Sequence, residues 1–248
     1  MNKILALWSH PRARSTAFAR MMVERGDFSV VDEPFARYYY FSDERVSHRR
    51  SDVEQQTKYR FDTILKDLLQ KSETQAMFVG EHAYYVTPRA DSDFISLFQN
   101  TFIIRNPAQS LPSLYDKMPD FTLQETGYKE SYQLFELVKA TEGTVPVVID
   151  ADDLVDFPEA TIRAYCKAVK LPFLSKSLVW EPKIPPELNP DWWESTVRWY
   201  ANLEKSQGFK RQSNPNYVSV EDNKQLKKAY EFCLPYYQKL YEHRLRIS

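Results

Sequence analysis

The chain has 248 residues, 43% of them hydrophobic and 27% charged, with a formal net charge of −1, which is typical of a soluble globular protein. With no basic excess to neutralise a phosphate backbone, a general nucleic-acid binder is disfavoured. Cys166 and Cys233 are too few and too far apart for a disulfide framework or a zinc site. Because no apolar run reaches the roughly 18 residues of a membrane span and no signal-peptide cleavage site is present, we expect a cytoplasmic protein without a membrane partner.

Strand and helix patterns alternate along the first two thirds of the chain. Short apolar runs predict five buried strands, with the sequences KILALWS, FSVVD, AMFVGEH, NTFIIR and VPVVID. Apolar residues at helical spacing predict helices over residues 15–24, 52–70 and 124–140 and over FPEATIRAYCKAV. Asn106 followed by Pro107 is typical of an N-cap and the first position of another helix. This alternation predicts an α/β fold with a mainly parallel sheet flanked by helices on both faces.

The pattern changes after Leu171. The stretch LPFLSKSLVWEPKIPPELNPDWW is rich in proline and tryptophan and indicates an irregular segment that wraps around the core. Two more helices are predicted over residues 191–204 and 221–243. We therefore predict one domain over 1–248, with an α/β core over 1–170 and a wrap with C-terminal helices over 171–248. The sequence leaves a homo-oligomer open.

The sequence SHPRARST, between the first predicted strand and helix, is dense in positive charge and short hydrogen-bond donors. In open α/β sheets, ligands bind beyond the carboxyl ends of the strands, where helix N-termini expose N–H groups. The backbone donors from Ala13 to Thr16 would converge there with the hydroxyls of Ser15 and Thr16. Arg12 and Arg14 would join them, and arginine matches phosphate or sulfate oxygens in a bidentate fashion. The stretch predicts an anion-binding loop.

The loop lacks the glycines and the terminal Lys-Ser/Thr of a Walker A motif, and none of the five glycines of the chain lies in it. Asp150 is only a weak candidate for a strand-end Mg²⁺ ligand. An ordinary ATP or GTP hydrolase is therefore disfavoured.

A second basic position follows the fourth predicted strand. Arg105 leaves that strand, and Ser113 lies two turns into the next helix, so both could flank a second phosphate beside the first loop. Two anion sites at adjacent strand ends suit a bisphosphorylated nucleotide better than a lone triphosphate. The alternative is that Arg105 caps a helix or forms a salt bridge.

Three motifs together resemble the sulfotransferases that use 3′-phosphoadenosine 5′-phosphosulfate (PAPS). HPRARSTAFA is similar to their 5′-phosphosulfate-binding loop, and VVDEPF at Val30–Phe35 follows it as in bacterial sulfotransferase-like proteins that carry GPRSRSTAL. The family binds the 3′-phosphate with an Arg at a strand end and a Ser eight residues on, which correspond to Arg105 and Ser113. The resemblance extends to WEPK and KSQGF. It implies a P-loop-like three-layer fold, PAPS as donor, 3′,5′-adenosine bisphosphate (PAP) as product and no metal.

The resemblance implies a role for each loop residue. Arg12 stands where related cytosolic sulfotransferases usually carry a lysine that contacts the leaving-group oxygen, and it would stabilise the charge that develops there. The departure from lysine affects any role that requires a compact, switchable ammonium. Ala13, Arg14, Ser15 and Thr16 would hold the 5′-phosphosulfate.

Two residues compete as the base that takes the proton of the acceptor. His82, at the end of the third strand, matches the base histidine of many family members, although they usually have a lysine where this chain has Gly80. Glu33, in VVDEPF, lies in a region where some bacterial relatives use a carboxylate. Histidine is the simpler base near neutral pH, whereas Glu33 would need a raised pKa. His82 could instead be a core histidine, and Glu33 could cap the next segment or pair with Arg12.

The adenine site is less distinct. Trp8, Trp180 and Phe209 are candidates to stack on the base, and the resemblance alone places Ser206 and Gly208 near the nucleotide. Lys210 and Arg211 would add charge there or form a solvated face.

The acceptor site is expected in residues 38–50 and 115–132. The stretch RYYYFSDE mixes aromatic rings with carboxylates, which would suit a cationic small molecule. The chain also resembles the sulfotransferases of saxitoxin biosynthesis, which implies a guanidinium toxin as acceptor. The sequence thus predicts a PAPS-dependent sulfotransferase acting on a hydroxyl or amine of a small molecule. The alternatives are an ATP-dependent small-molecule kinase and an inactive nucleotide-binding protein.

Overall fold

A computed structural model describes residues 4–188, 197–211 and 217–247. Five parallel strands form one sheet in the order β2-β3-β1-β4-β5. The strands are β1 Ile4–Ser9, β2 Ser29–Asp32, β3 Met77–His82, β4 Phe98–Ile104 and β5 Val147–Asp150. β1 is central, and its register pairs Ser9 with His82 of β3 and Trp8 with Phe102 of β4. Since the connections run to opposite sides of β1, its carboxyl end lies at the topological switch point, where ligands bind in such sheets.

Helices cover both faces of the sheet. Their bounds are α1 Ser15–Arg25, α2 Ala36–Phe41, α3 Phe61–Ser72, α4 Ala83–Val86, α5 Ser92–Ser96, α6 Pro107–Lys117, α7 Tyr128–Glu142, α8 Ala151–Asp156, α9 Pro158–Ala168, α10 Val197–Glu204 and α11 Lys224–Glu242. Successive side chains of β1 point to opposite faces, so Ala6 and Trp8 pack with α2–α7 and α11, whereas Leu5 and Leu7 pack with α1, α8 and α9. The predicted α/β fold, a three-layer sandwich with a helical C-terminal extension, is confirmed.

Several helix bounds differ from the prediction. The helix predicted from residue 52 begins only at Phe61, because the residues before it are largely polar and exposed and offer no apolar stripe to bury. The helix predicted from residue 124 begins at Tyr128, after Gly127 adopts a φ of 71°. Asn106 accepts a hydrogen bond from the Ala108 N–H as the predicted N-cap, with Pro107 opening α6.

The two helices predicted for the C-terminal part correspond to α10 and α11. Residues 191–196 of the helix predicted over 191–204 lie outside the described residues, and α10 covers the remainder. The last helix begins at Lys224 instead of residue 221, because Asn223 caps it through the N–H groups of Gln225 and Leu226. The short helix α8 was not predicted.

Two buried arginines of α1 hold the wrap segment against the sheet. Arg20 donates to the carbonyls of Glu181 and Lys183, and Arg25 donates to the carbonyl of Pro172 at 3.0 Å. The guanidinium of Arg20 also lies over the Trp180 ring, 5.8 Å from its centroid. Because buried polar side chains need hydrogen-bond partners, the two buried guanidinium groups bind these carbonyls and tie an irregular segment to α1. Among the described residues, no helix has both the length and the apolar character that crossing a bilayer requires.

Candidate functional site

A cavity of about 500 Å³ lies at the carboxyl ends of β1, β3 and β4. We call its two parts the loop end and the tyrosine end. The loop end is lined by Arg12, Arg14, Ser15, Thr16, Arg105, Ser113, Ser206, Gly208 and Phe209. The tyrosine end is lined by Tyr40, Tyr84, Tyr85, Arg49 and Arg50. Glu33, His82 and Trp199 also line this cavity, so the structure brings most of the predicted site residues together.

The loop between β1 and α1 is fixed by a buried histidine that sequence reasoning missed. His10 lies with its ring 3.9 Å from the Tyr128 ring, and its Nε2 accepts the backbone N–H of Arg105 at 3.0 Å. Its Nδ1 lies 3.0 Å from the Pro11 carbonyl, which assigns the hydrogen to Nδ1. Burial lowers the pKa of His10 to about 3, so the ring stays neutral and joins the loop to the end of β4.

Gly127 completes this support. A Cβ atom at this position would lie 3.0 Å from Pro11 Cδ and 3.2 Å from His10 Cβ, tighter than ordinary van der Waals contact. The residue also has a φ of 71°, which disfavours other residues. A side chain here would therefore push on the loop that lines the cavity.

The loop end presents hydrogen-bond donors that lack protein partners. The first N–H groups of α1 have no carbonyl within the helix to bind, and Ser15 and Thr16 lie in this turn. The Nε atoms of Arg14 and Arg105 are buried without a hydrogen-bond partner. Burial lowers the pKa of Arg14 to about 10, which leaves it charged at neutral pH.

Ala13 does not belong to this donor set, contrary to the expectation. Its N–H donates to the carbonyl of His10 at 3.2 Å, and the residue is fully buried in the apolar layer beneath α1. The turn that shapes the loop thus uses the N–H that was expected to bind the anion.

Arg12 lies between the loop and the possible bases. Its Nε donates to Ser113 Oγ at 2.9 Å, and its guanidinium lies 5.7 Å from the centroid of the Trp199 ring. The charge of Arg12 also acts on the pKa values of His82 and Glu33, lowering both. Since Ser113 accepts from Arg12, its own hydroxyl hydrogen can be donated elsewhere.

Arg105 is positioned by its neighbours. Its NH1 donates to the carbonyl of Arg12 at 3.0 Å, and its NH2 lies 3.4 Å from Gln109 Oε1. Gln109 in turn donates to Asp152 at 2.7 Å. Among the described residues Arg105 forms no salt bridge within 4.0 Å, and it does not cap α6, which Asn106 caps.

Glu33 and His82 form a direct pair. His82 Nε2 lies 3.2 Å from Glu33 Oε1, and His82 Nδ1 lies 2.8 Å from Ser9 Oγ. Burial raises the pKa of Glu33 to about 7 against the opposing attraction of Arg12. Burial first, and then the charge of Arg12, lowers the pKa of His82 to about 3. The carboxyl group is therefore the member of the pair that titrates near neutral pH.

Glu81 holds this pair in place and was not singled out from the sequence. Its two oxygens accept the N–H groups of Phe35 at 2.7 Å and of His82 at 2.8 Å. It thereby joins the segment after Glu33 to the end of β3. A Cβ at Gly80, beside it, would lie 2.8 Å from Asp32 Oδ1, so a larger residue there would require the Asp32 side chain to shift.

The candidates for adenine stacking separate in the structure. Trp8 is wrong: its side chain is fully buried, does not line the cavity among the described residues, and donates to Asn100 at 2.8 Å. Trp180 is buried, donates to Ser206 Oγ at 2.9 Å and does not line the cavity among the described residues. Phe209 lines the cavity, and so does Trp199, which the sequence analysis missed.

The two basic residues after Gly208, Lys210 and Arg211, have different contacts. Arg211 forms an ion pair with Asp156 at 2.5 Å, whereas the carbonyl of Lys210 lies 3.4 Å from Arg14 NH1. Both residues line the cavity. Asp150 is occupied as the N-cap of α8 and accepts from Tyr237 at 3.0 Å. Within the described residues, no cluster of His, Cys, Asp or Glu side chains could hold a metal ion.

The two segments expected to form the acceptor site meet at the tyrosine end. Arg49 joins them, with ion pairs at 2.6 Å to Glu125 and to Asp120. The carboxylates of RYYYFSDE lie elsewhere: Asp43 pairs with Arg60, and Glu44 lies within 3.6 Å of Arg89.

The comparisons with known proteins agree with the fold. The family described as "Sulfotransferase domain" matches residues 2–243, and the chain belongs to this family. Two relatives from Arabidopsis thaliana are named branched-chain-amino-acid aminotransferase-like proteins 2 and 1. Their identities are 29% over 97% of this chain and 28% over 84%. The chain spans only 42% and 36% of their lengths.

One solved structure aligns with this chain over nearly the whole length of both proteins. The sulfotransferase domain from the Synechococcus PCC 7002 olefin synthase aligns over 93% of this chain and 94% of its own, with a TM-score of 0.56 and 15% sequence identity. At this identity the likeness shows a shared fold.

Proposed function

We propose that this sulfotransferase moves a sulfuryl group from PAPS to a hydroxyl or amine of a small molecule. The observation that carries the proposal is the pair of buried, unpartnered Nε donors of Arg14 and Arg105 beside the first turn of α1. A buried donor without a partner costs free energy, which a ligand with anionic oxygens would recover. The donor set therefore fits a nucleotide with two anionic groups.

The residues divide between the two ends of such a nucleotide. The first turn of α1, with Arg14, Ser15 and Thr16, would bind the 5′-phosphosulfate. Arg105 and the Ser113 hydroxyl would bind the 3′-phosphate. Ser206, Gly208 and Phe209 line the cavity next to these groups and would contact the rest of the nucleotide.

When bound, PAPS supplies an SO₃ group joined to a phosphate oxygen that can leave. Glu33 would accept the proton of the acceptor as the acceptor atom bonds to sulfur and the bond from sulfur to the phosphate oxygen breaks. Arg12 would stabilise the charge on that leaving oxygen. His82, held by Ser9 and Glu81, would orient the Glu33 carboxylate and share its proton.

Thermal unfolding with added ligands tests the donor assignment, because a ligand that binds only the folded state raises the melting temperature. We expect PAP to raise it and ATP–Mg²⁺ to have little effect. Arg105→Met should abolish the response to PAP, whereas Arg163→Met, which alters an exposed arginine of α9 paired with Glu159, should retain it. Stabilisation by ATP–Mg²⁺ alone would support a kinase. A PAP response with no transfer from labelled PAPS to any acceptor would support an inactive nucleotide-binding protein.

A further inference from the structure

Arg105 follows the end of β4, where its backbone groups lie beyond the paired part of the strand. The last pair of β4 with β5 joins Ile104 to Asp150. Backbone groups at such a strand end need partners outside the ladder. Here two side chains supply them, because His10 Nε2 accepts the Arg105 N–H at 3.0 Å and the Tyr128 hydroxyl donates to the Arg105 carbonyl at 2.7 Å. The backbone of Arg105 is thus held on both sides.

His10 and Tyr128 form one unit, which we call the His10–Tyr128 pair. Their rings are stacked, with centroids 3.9 Å apart and an interplanar angle of 27°. Both residues are buried, and neither lines the cavity among the described residues. The Tyr128 hydroxyl has one hydrogen, which the Arg105 carbonyl accepts, so the Ser110 hydroxyl 2.5 Å away donates to the tyrosine oxygen. The polar atoms of the pair therefore hold the loop and Arg105 and contact nothing in the cavity.

The guanidinium of Arg105 is held as well as its backbone. Its NH1 donates to the Arg12 carbonyl at 3.0 Å, and its NH2 lies 3.4 Å from Gln109 Oε1. Because Arg12 belongs to the loop between β1 and α1, the first of these contacts joins the two predicted anion sites directly. The Nε of Arg105 is buried without a hydrogen-bond partner among the described residues, so this donor is presented from a fixed position.

We infer that the His10–Tyr128 pair selects where the second phosphate stands on the nucleotide, because it fixes Arg105 relative to the first turn of α1. The inference rests on the proposed binding of PAPS and adds the residues that determine regiospecificity. A ribose of nearly constant size separates the 5′- and 3′-phosphates, and a 2′-phosphate would lie one ring carbon further on. Charge-assisted hydrogen bonds need short distances and good alignment, so a fixed guanidinium binds one isomer well and the other poorly. His10 and Tyr128 are positioning residues, since they act through Arg105.

Two isomers with the same atoms and the same charge test this selection. They are PAP, which is the 3′,5′-bisphosphate of adenosine, and adenosine 2′,5′-bisphosphate. Calorimetric titration into the free protein measures both affinities, and their ratio is the readout. We expect the wild type to bind PAP about tenfold or more tightly than its isomer, because hydrogen bonds to charged groups are the strong ones. Tyr128→Phe keeps the ring and removes the hydroxyl, so it should lower this ratio about threefold or more, chiefly by weakening PAP.

Further variants separate positioning from a general loss of structure. Tyr165→Phe removes the hydroxyl of another buried tyrosine, 3.3 Å from Thr101 Oγ1 and outside the cavity lining among the described residues, and should keep the wild-type ratio. His10→Met removes the acceptor for the Arg105 N–H and should lower the ratio, whereas His10→Gln supplies another acceptor oxygen and should restore most of it. A merely structural role would lower the free energy of unfolding and weaken both isomers equally, which leaves the ratio unchanged.

The inference is overturned if the wild type binds the two isomers with similar affinity. It is also overturned if Tyr128→Phe keeps the wild-type ratio, or if Tyr165→Phe lowers that ratio as much as Tyr128→Phe does. Should His10→Met fail to fold, the comparison of Tyr128→Phe with Tyr165→Phe decides. If PAP does not bind the wild type at all, the donor assignment itself fails. PAP binding with an unchanged ratio in Tyr128→Phe overturns the inference alone.

Discussion

Glu33→Gln is the substitution that separates the two possible bases. The change removes the carboxylate that lies 3.2 Å from His82 Nε2 and keeps nearly the same shape. The pKa of Glu33 is raised to about 7, whereas that of His82 is lowered to about 3. If Glu33 is the base, kcat/KM of the wild type rises with pH through about 7 and is constant above it. A His82 base would place that rise near pH 3.

The same pKa shift predicts an effect on stability that needs no substrate. A carboxyl group whose pKa is raised by folding contributes its stability below the unfolded value of 4.5 and loses it as pH rises to about 7. One pKa unit corresponds to about 1.4 kcal/mol, so the ionised Glu33 disfavours the folded state by up to about 3 kcal/mol at pH 8. At pH 5 the same calculation gives about 1 kcal/mol or less. Glu33→Gln should therefore stabilise the free protein, and more so at pH 8.

Urea unfolding at both pH values measures the free energy of unfolding, and steady-state transfer from PAPS measures kcat. We expect kcat to fall by about 10²–10⁴ in Glu33→Gln, the range for loss of a general base, with PAP binding retained. His82→Asn should keep the rise near pH 7 at a lower rate. The reasoning is refuted if Glu33→Gln retains that rise, or if its unfolding free energy relative to wild type does not increase between pH 5 and pH 8.

Three further substitutions test the supports of the site. The glutamine side chain of Glu81→Gln has one acceptor oxygen for the two N–H groups now bound. We expect kcat to fall about tenfold and the apparent pKa of the pH–rate profile to move, with PAP affinity unchanged. A profile that does not move would contradict the positioning role. Gly127→Ala places a Cβ at a positive φ and in close contact with the loop. Urea unfolding should show that the free energy of unfolding falls by about 1–2 kcal/mol, and calorimetry should show a weaker affinity for PAP. Wild-type values would show that the loop tolerates the methyl group. Arg20→Met leaves the wrap carbonyls without their donor, and denaturation should reveal a loss of about 1–3 kcal/mol, with PAP binding intact; unchanged stability would mean that the wrap is held elsewhere.

The strands and the position of the basic loop after β1 could be predicted because their signals are local. A strand buried on both faces of a parallel sheet is a nearly continuous apolar run, and β1 is buried throughout. A basic loop that follows such a strand lies at the carboxyl edge in this topology. The predicted helix N-cap at Asn106 is local as well, since its hydrogen bond spans two residues.

The supports of the site could not be predicted, because each depends on a partner distant in sequence. His10 is recognisable as the link between β1 and β4 only when the Arg105 N–H and the Tyr128 ring are known to lie beside it. From the sequence, Trp8 is a candidate for stacking on adenine. Only the fold shows that its indole N–H donates to Asn100, which is 92 residues away. The predicted role of the RYYYFSDE carboxylates failed for the same reason, since Arg60 and Arg89 engage them.

Arg12 and Arg14 have φ values of 65° and 69°, a backbone conformation that most phosphate-binding loops assign to glycine. Each costs about 1 kcal/mol for a residue with a Cβ atom, and this cost falls on the free protein. The loop therefore takes its shape when the protein folds, and a nucleotide bound as proposed would contact donors that need little rearrangement. For this reason Arg14→Gly should raise the free energy of unfolding of the ligand-free protein. It should also weaken the binding of the nucleotide, because the guanidinium is lost.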